Sequence, residues 1–297
     1  MTEPRFAPRL SSDFPPKFLL PHAVTGRMKI HPTAIISPGA ILGAGTEVGP
    51  YAIIGENVIL GDDCVVQGHA VLTDNVTMGK GNFVGYGTII GSAPQDFAHM
   101  SSIRSQVQIG DGNTFREYVT VHRGSKEGTS TVVGDSNFLM SGIHLGHNVH
   151  LGNRTVIANN CLLAGHVDVQ DEAVLGGGSV FHQFLRIGRT TMVRGGTAWS
   201  KDIPPFALGT RVNGLGGLNV VGMRRGGLGA QARSDVKRAF SLFYRSGLNF
   251  TQAIERSLQS LWTKEAEIFF SFVKSKSRLG LCRLCAFGNM REDSPDE

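Results

Sequence analysis

Every sixth residue over most of this chain is apolar. Ile30, Ile36, Leu42, Val48, Ile54, Leu60, Val66, Leu72, Met78, Val84 and Ile90 form an unbroken run in steps of six. The count resumes at Ile109, Phe115 and Val121, then runs from Val133 through Leu139, Leu145, Leu151, Ile157, Leu163, Val169, Leu175, Phe181 and Ile187 to Val193. Neither the period of about 3.6 of a helix nor the period of 2 of a half-buried strand needs this spacing. Sustained hexads predict a parallel β-helix, each hexad being a short strand with one inward side chain and then a turn. Three hexads make a triangular coil, and one coil buries its apolar residues only when others stack on it at about 4.8 Å. The twenty-five repeat positions make about eight coils. Periodicity leaves the hand of the coil open, since ordinary crossovers are right-handed. Glycine directly follows seven positions of the first run (Gly43, Gly49, Gly55, Gly61, Gly79, Gly85 and Gly91), which predicts corners of positive φ there.

The count fails twice. Ile90 to Ile109 spans nineteen residues, and between Val121 and Val133 the expected inward position is Glu127. A charge is costly in an apolar column, so segments 91–108 and 122–132 are expected to project as loops, which are favoured places for function. The solenoid is expected over 29–222 and a helical domain over 223–288. In that domain Val236, Ala239, Phe240 and Phe243 recur at helical spacing. Thr251 would cap a helix carrying Ile254, Leu258 and Leu261, and Thr263 would start one carrying Phe269, Phe272 and Val273. Residues 289–297 read as a disordered tail and residues 1–28 as a disordered extension without the apolar region of a secretory signal. The hexads begin directly after Met28, which makes it a second candidate start.

Charged residues make up only 18% of the 297, and four scattered cysteines argue for a reducing, cytoplasmic compartment rather than a disulfide framework. No apolar run is long enough for a membrane span, so no stable membrane insertion is expected. Residues 223–283 carry twelve Lys and Arg against four acids, while the whole chain is only +5. Such a basic segment steers acidic partners: nucleic acid, anionic lipid or an acidic protein.

Histidines are the rich pool of neutral-pH acid–base groups. His144, His147 and His150 share one stretch, and His166 and His182 follow. In coils of eighteen, Gly165 stands on the His147 column, His166 one residue off it, and His182 two off the His166 column. These should meet at one corner, where a histidine base beside a backbone N–H is what acyl transfer requires. A single corner histidine is ordinarily a surface residue. The rivals are a zinc site of the γ-carbonic-anhydrase kind and a β-helix scaffold without catalysis.

Read in order, PQDF (94–97), TVHRGS (120–125), LMSGIHLGHNVHLGN (139–153), ANNCLLAGHV (158–167), VFHQF (180–184), DIPPF (202–206), LNVVGMRRG (218–226) and FYRSG (243–247) resemble the UDP-N-acetylglucosamine O-acyltransferases that begin lipid A synthesis. The resemblance spans about 29–280. It implies a left-handed parallel β-helix and a homotrimer with sites between subunits. It also implies transfer of an (R)-3-hydroxyacyl chain from acyl carrier protein to the sugar 3-hydroxyl of the UDP-sugar, with no metal, cofactor or nucleic acid. It places the general base on His147 and the oxyanion amide on Gly165. Substrate contacts fall on Gln95, Asp96, His144, His166, His182, Gln183 and Asn219, and on Arg225 or, with one residue fewer after Pro205, Arg224. His122 opens the second interruption and is added to the substrate contacts. Gly195 stands at the acyl-length ruler and leaves room for a longer chain. Asn148 follows the base where some members have Asp, so no orienting carboxylate for His147 is identifiable. The sibling enzyme acting on a sugar amine would carry a further N-terminal domain, for which 28 residues are too few.

Overall fold

In the computed structural model, residues 28–97 and 100–285 are described; all but Met28 of the expected extension over 1–28, and the tail over 289–297, lie outside them. Strands of two to four residues, from Lys29–Ile30 to Ala198–Trp199, stack into three parallel sheets. Ile30 pairs with Val48 in the first sheet, Ile36 with Ile54 in the second and Leu42 with Leu60 in the third, so one coil is eighteen residues. The hexad side chains point inward: Ile54, Leu72, Ile90, Leu145 and Leu163 are all 0% exposed. Trp199, one further step of six past Val193, also belongs to the column; it is buried and pairs with Phe181. The count in the sequence ends one position short of it, at Val193.

The predicted role of the seven glycines is corrected. Of these, only Gly91 has a positive φ. The others answer close stacking: a Cβ on Gly61 would lie 2.6 Å from the carbonyl carbon of Gly79, and one on Gly85 2.7 Å from that of Arg116. The left-handed residue instead stands three positions after most inward side chains, as at Gly45, Asn57, Asn75, Asn148, Asn160, His166 and Phe184. Asn, His and Gly are common there; a bulky Phe is not.

Both interruptions are excursions between the second and third sheets. The chain leaves the stack over 93–105 and again over 123–129. The two excursions bind each other: Gln106 N–H donates to Thr129 O at 3.1 Å, Gly128 N–H to Arg104 O at 2.9 Å, and Arg104 N–H to the Glu127 carboxylate at 2.7 Å. The second adds six residues, so Val121 pairs with Leu145, twenty-four residues on. His122 is thereby carried onto the column of Gly146, Ala164 and His182.

At the C-terminal end, an antiparallel hairpin of Ala207–Arg211 and Gly214–Leu218 extends the first sheet. Helices α1 (Val220–Arg225), α2 (Ala230–Tyr244), α3 (Phe250–Ser257) and α4 (Lys264–Lys274) follow. α4 begins after Thr263 as the spacing predicts. α3 is capped by Asn249, not Thr251, through a reciprocal capping box with Gln252. Leu258 and Leu261 lie beyond that helix, 72% and 97% exposed, so they are not its core face. Arg186 ties the helices to the solenoid. Its Nε donates to the buried Asp202 at 2.8 Å, its Nη1 meets Ser275 Oγ, and its guanidinium lies 4.5 Å from the Phe272 ring centre.

Candidate active site

A cleft of about 600 Å³ opens at the corner between the second and third sheets, lined by Gln95, His122, His144, His147, Gly165, His182 and Gln183 among others. That volume suits a small-molecule site. His147, Gly165 and Gln183 form one column; Gly146, Ala164 and His182 form the next. Gln95 arrives on the first excursion, with the exposed Asp96 beside it.

Hydrogen bonding defines the state of His147. Asn148 Oδ1 lies 3.0 Å from His147 Nδ1, and accepts from Ser125 N–H at 3.0 Å and Ser125 Oγ–H at 2.9 Å. A backbone N–H only donates, so this Asn148 atom is the carbonyl oxygen. His147 Nδ1 must then carry the proton, which leaves the Nε2 lone pair as a base. Asn148 is held by its own N–H, which donates to Thr131 Oγ1 at 2.8 Å. The partner that the sequence left unidentified is therefore the amide of Asn148, following His147 and held by Ser125 of the second excursion. Replacing Asn148 with Ala is expected to free the imidazole and lower kcat about tenfold or more with little change in KM, measured under saturating substrates.

Gly165 is demanded by this ring. A Cβ built there lies 2.5 Å from both Cε1 and Nε2 of His147. Its amide also lines the cleft. At some other turns the side chain one coil on caps the N–H at this position: Asp74 caps Glu56 at 2.9 Å, Asp111 caps Lys80 at 2.9 Å and Asp171 caps Asn153 at 2.8 Å. Among the described residues no acceptor takes the Gly165 N–H. A donor lining a cleft beside a base is suited to a developing oxyanion.

Two neighbouring histidines, His122 and His144, are biased toward the neutral form. The His122 ring meets that of His144 edge-on at 4.8 Å, and His144 Nδ1 lies 2.8 Å from Thr120 Oγ1. Burial, then His144, His147 and Arg123, push the His122 pKa down to about 4; burial and His147 lower that of His144. The unfolded chain thus takes up a proton at His122 that the fold refuses, between its ordinary value of 6.5 and about 4. Stability from this group is complete above 6.5 and lost as pH falls through the window. A series of melting temperatures from pH 7 to 4 should decline across it, and His122→Asn should flatten the slope.

Other positions lie elsewhere. His166 is not in the cleft lining; it stands behind His147, ring centres 5.2 Å apart and edge-on. His150 faces outward from the third sheet and binds Asp168 at 3.0 Å, which raises its pKa. The stretch of three histidines is therefore divided between two sheets. No group of three metal-ligating side chains is gathered among the described residues. Gly195 is at the corner between the first and second sheets, above Gly177, where a Cβ would lie 2.8 Å from Gly177 O. Asn219 caps α1: its Oδ1 accepts from Gly222 N–H at 2.9 Å and its Nδ2 donates to Thr190 O at 2.8 Å. Arg224 and Arg225 end α1. Within one chain these four do not line the cleft.

Residues 130–165 match the bacterial transferase hexapeptide family (six repeats), which gives the class of these coils. Residues 202–282 match the second domain of UDP-N-acetylglucosamine O-acyltransferase. An acyl-[acyl-carrier-protein]--UDP-N-acetylglucosamine O-acyltransferase of Burkholderia lata is 46% identical over 76% of this chain and 86% of its own length. Two solved structures are similar throughout. The UDP-N-acetylglucosamine acyltransferase of Bacteroides fragilis is 32% identical, covers 85% of this chain and 99% of its own, and has a TM-score of 0.80. The Francisella novicida enzyme is 32% identical over 86% and 94%, with a TM-score of 0.81. The chain belongs to the UDP-N-acetylglucosamine O-acyltransferase family. Its β-helix is left-handed, as the resemblance implied.

Proposed function

We propose that this cleft transfers an (R)-3-hydroxyacyl group from the thioester of acyl carrier protein to the 3-hydroxyl of UDP-N-acetylglucosamine. His147 Nε2 takes the hydroxyl proton as the sugar oxygen attacks the thioester carbonyl. The oxyanion forms against the Gly165 N–H. Collapse expels the carrier's thiolate, and the His147 imidazolium returns the proton to that sulfur, so the products are the ester and the free thiol. The single observation carrying this reading is an imidazole whose free nitrogen is defined by Asn148, set against an uncapped amide in one cleft. The test follows acyl transfer from carrier thioesters of several lengths to the sugar nucleotide. Product must appear with wild type and vanish with His147→Ala; turnover by that variant at the wild-type rate would overturn the assignment.

The acceptor is held by His122, His144 and His182, with Gln95, Asp96, His166 and Gln183 as further contacts. The remaining contacts, Gly195, Asn219, Arg224 and Arg225, belong to a neighbouring subunit of a homotrimer. A physical reason for assembly is the outer face of the second sheet. Ile35 and Ile53 are 60% and 39% exposed there, with Val71 and Ile89 above them in the same ladder. So apolar a face on a monomer marks an interface. Ile53→Glu is expected to yield monomers by light scattering and to lose activity, although it lies coils away from His147. The basic 223–283 segment suits the acidic carrier, and the reaction is placed in the cytoplasm where such carriers are charged. Among the described residues no helix is long and apolar enough to cross a membrane.

A further inference from the structure

His166 and Phe184 occupy successive levels of one corner column, and both are left-handed, with φ of 59° and 67°. A phenylalanine at positive φ is held at a cost of about 1–2 kcal/mol. Asn148, one level below, is the residue type such a corner favours. Phe184 is half-buried and outside the hexad core, so apolar burial does not account for it. What it does is stack: its ring lies parallel to that of His166, 4.7 Å away and 16° from coplanar. On its far side Arg278, from the segment after α4, places its guanidinium 4.3 Å from the ring centre. His166 in turn stands edge-on to His147, 86° between planes. The result is a continuous file, Arg278–Phe184–His166–His147, running from the helical region to the base.

We propose that Phe184 and Arg278 are positioning residues for the reaction, acting through His166 to hold the His147 ring in its productive orientation. The imidazole of His147 is confined on three sides. Asn148 fixes Nδ1, the Gly165 backbone closes one approach, and His166 closes another. The first two are secured within the solenoid. His166 has no hydrogen bond among the described residues that would orient its ring; the Phe184 face does so, and Arg278 presses that face by cation–π attraction, worth about 0.5–2 kcal/mol. Arg278 is itself steadied by the anchoring of the preceding segment through Arg186, Phe272 and Ser275. Burial lowers the His166 pKa, and so do the groups that face it, His147, Arg278 and Lys126. A neutral His166 does not repel the imidazolium that forms on His147 during transfer.

This inference rests on His147 being the base, and Phe184→Asn tests it without depending on a damaged fold. Asn suits a left-handed corner, so the melting temperature should hold or rise. The expected result is nonetheless a fall in kcat of about tenfold, with KM for both substrates within twofold of wild type. Arg278→Ala should lower kcat several-fold in the same way, Arg278→Lys should recover part of it, and Phe184→Tyr, which keeps the ring face, should recover most. A Phe184→Asn enzyme with wild-type kcat overturns the proposal. So does a rise confined to KM for the carrier thioester, which would make Arg278 a docking residue. If instead His147→Ala keeps full activity, the assignment of the base has failed, a result separate from either of these.

Discussion

Replacing His147 with Ala is expected to lower kcat by about 10²- to 10⁴-fold, the usual contribution of a positioned general base. The fold should survive. His147 is half-buried at a corner and outside the inward column. Its loss orphans no buried acceptor, because Asn148 Oδ1 still accepts from Ser125 N–H and Oγ–H. The melting temperature should therefore stay within a few degrees of wild type, and KM for the sugar nucleotide should change little. Steady-state kinetics beside a thermal melt on the same preparation separates the chemical effect from a structural one.

Gly165→Ala should come close to the same loss by a different route. The backbone there lies outside the left-handed region, so the chain accepts a methyl without conformational strain. Space is the obstacle, since that methyl would sit 2.5 Å from Cε1 and Nε2 of His147. The imidazole must swing away, giving up its Asn148 partner and its distance from the Gly165 N–H. A displacement of about 1 Å at a reacting group costs on the order of 10²-fold, so kcat should fall at least that far with KM nearly unchanged. The two substitutions act on one unit. In a His147→Ala background the added Gly165→Ala should cost almost nothing more, and a further full loss in the double variant would show that Gly165 acts independently of the base.

Much of this was legible in residue order because a solenoid converts sequence distance into spatial distance by a constant. Gly165 falls on the His147 column from counting alone. The constant also explains what was misread. The glycines after the inward residues were assigned to left-handed corners because glycine permits them. Their reason is the contact between stacked turn backbones, which no single coil reveals. His122 illustrates the opposite case. By an eighteen-residue count it has no place among the other histidines, and the six extra residues of the second excursion bring it onto the His182 column. The hairpin and α1 went unread because the glycine-rich run before Val220 has neither a period of two nor one of 3.6, although Asn213-Gly214 is a recognised hairpin turn signal.

The sequence by itself determined the coil, its inward residues and the column that joins a histidine to a glycine amide, since a six-residue repeat admits one way to bury its aliphatic side chains. Motif resemblance supplied the family and its left hand, which the repeat leaves open. Only the tertiary structure decided which nitrogen of His147 keeps a free lone pair. That depends on Asn148 accepting from Ser125 across an excursion the repeat does not describe. The file from Arg278 to His147 was likewise decided there, because it joins residues 131 positions apart whose meeting depends on how the helical region docks on the end of the stack.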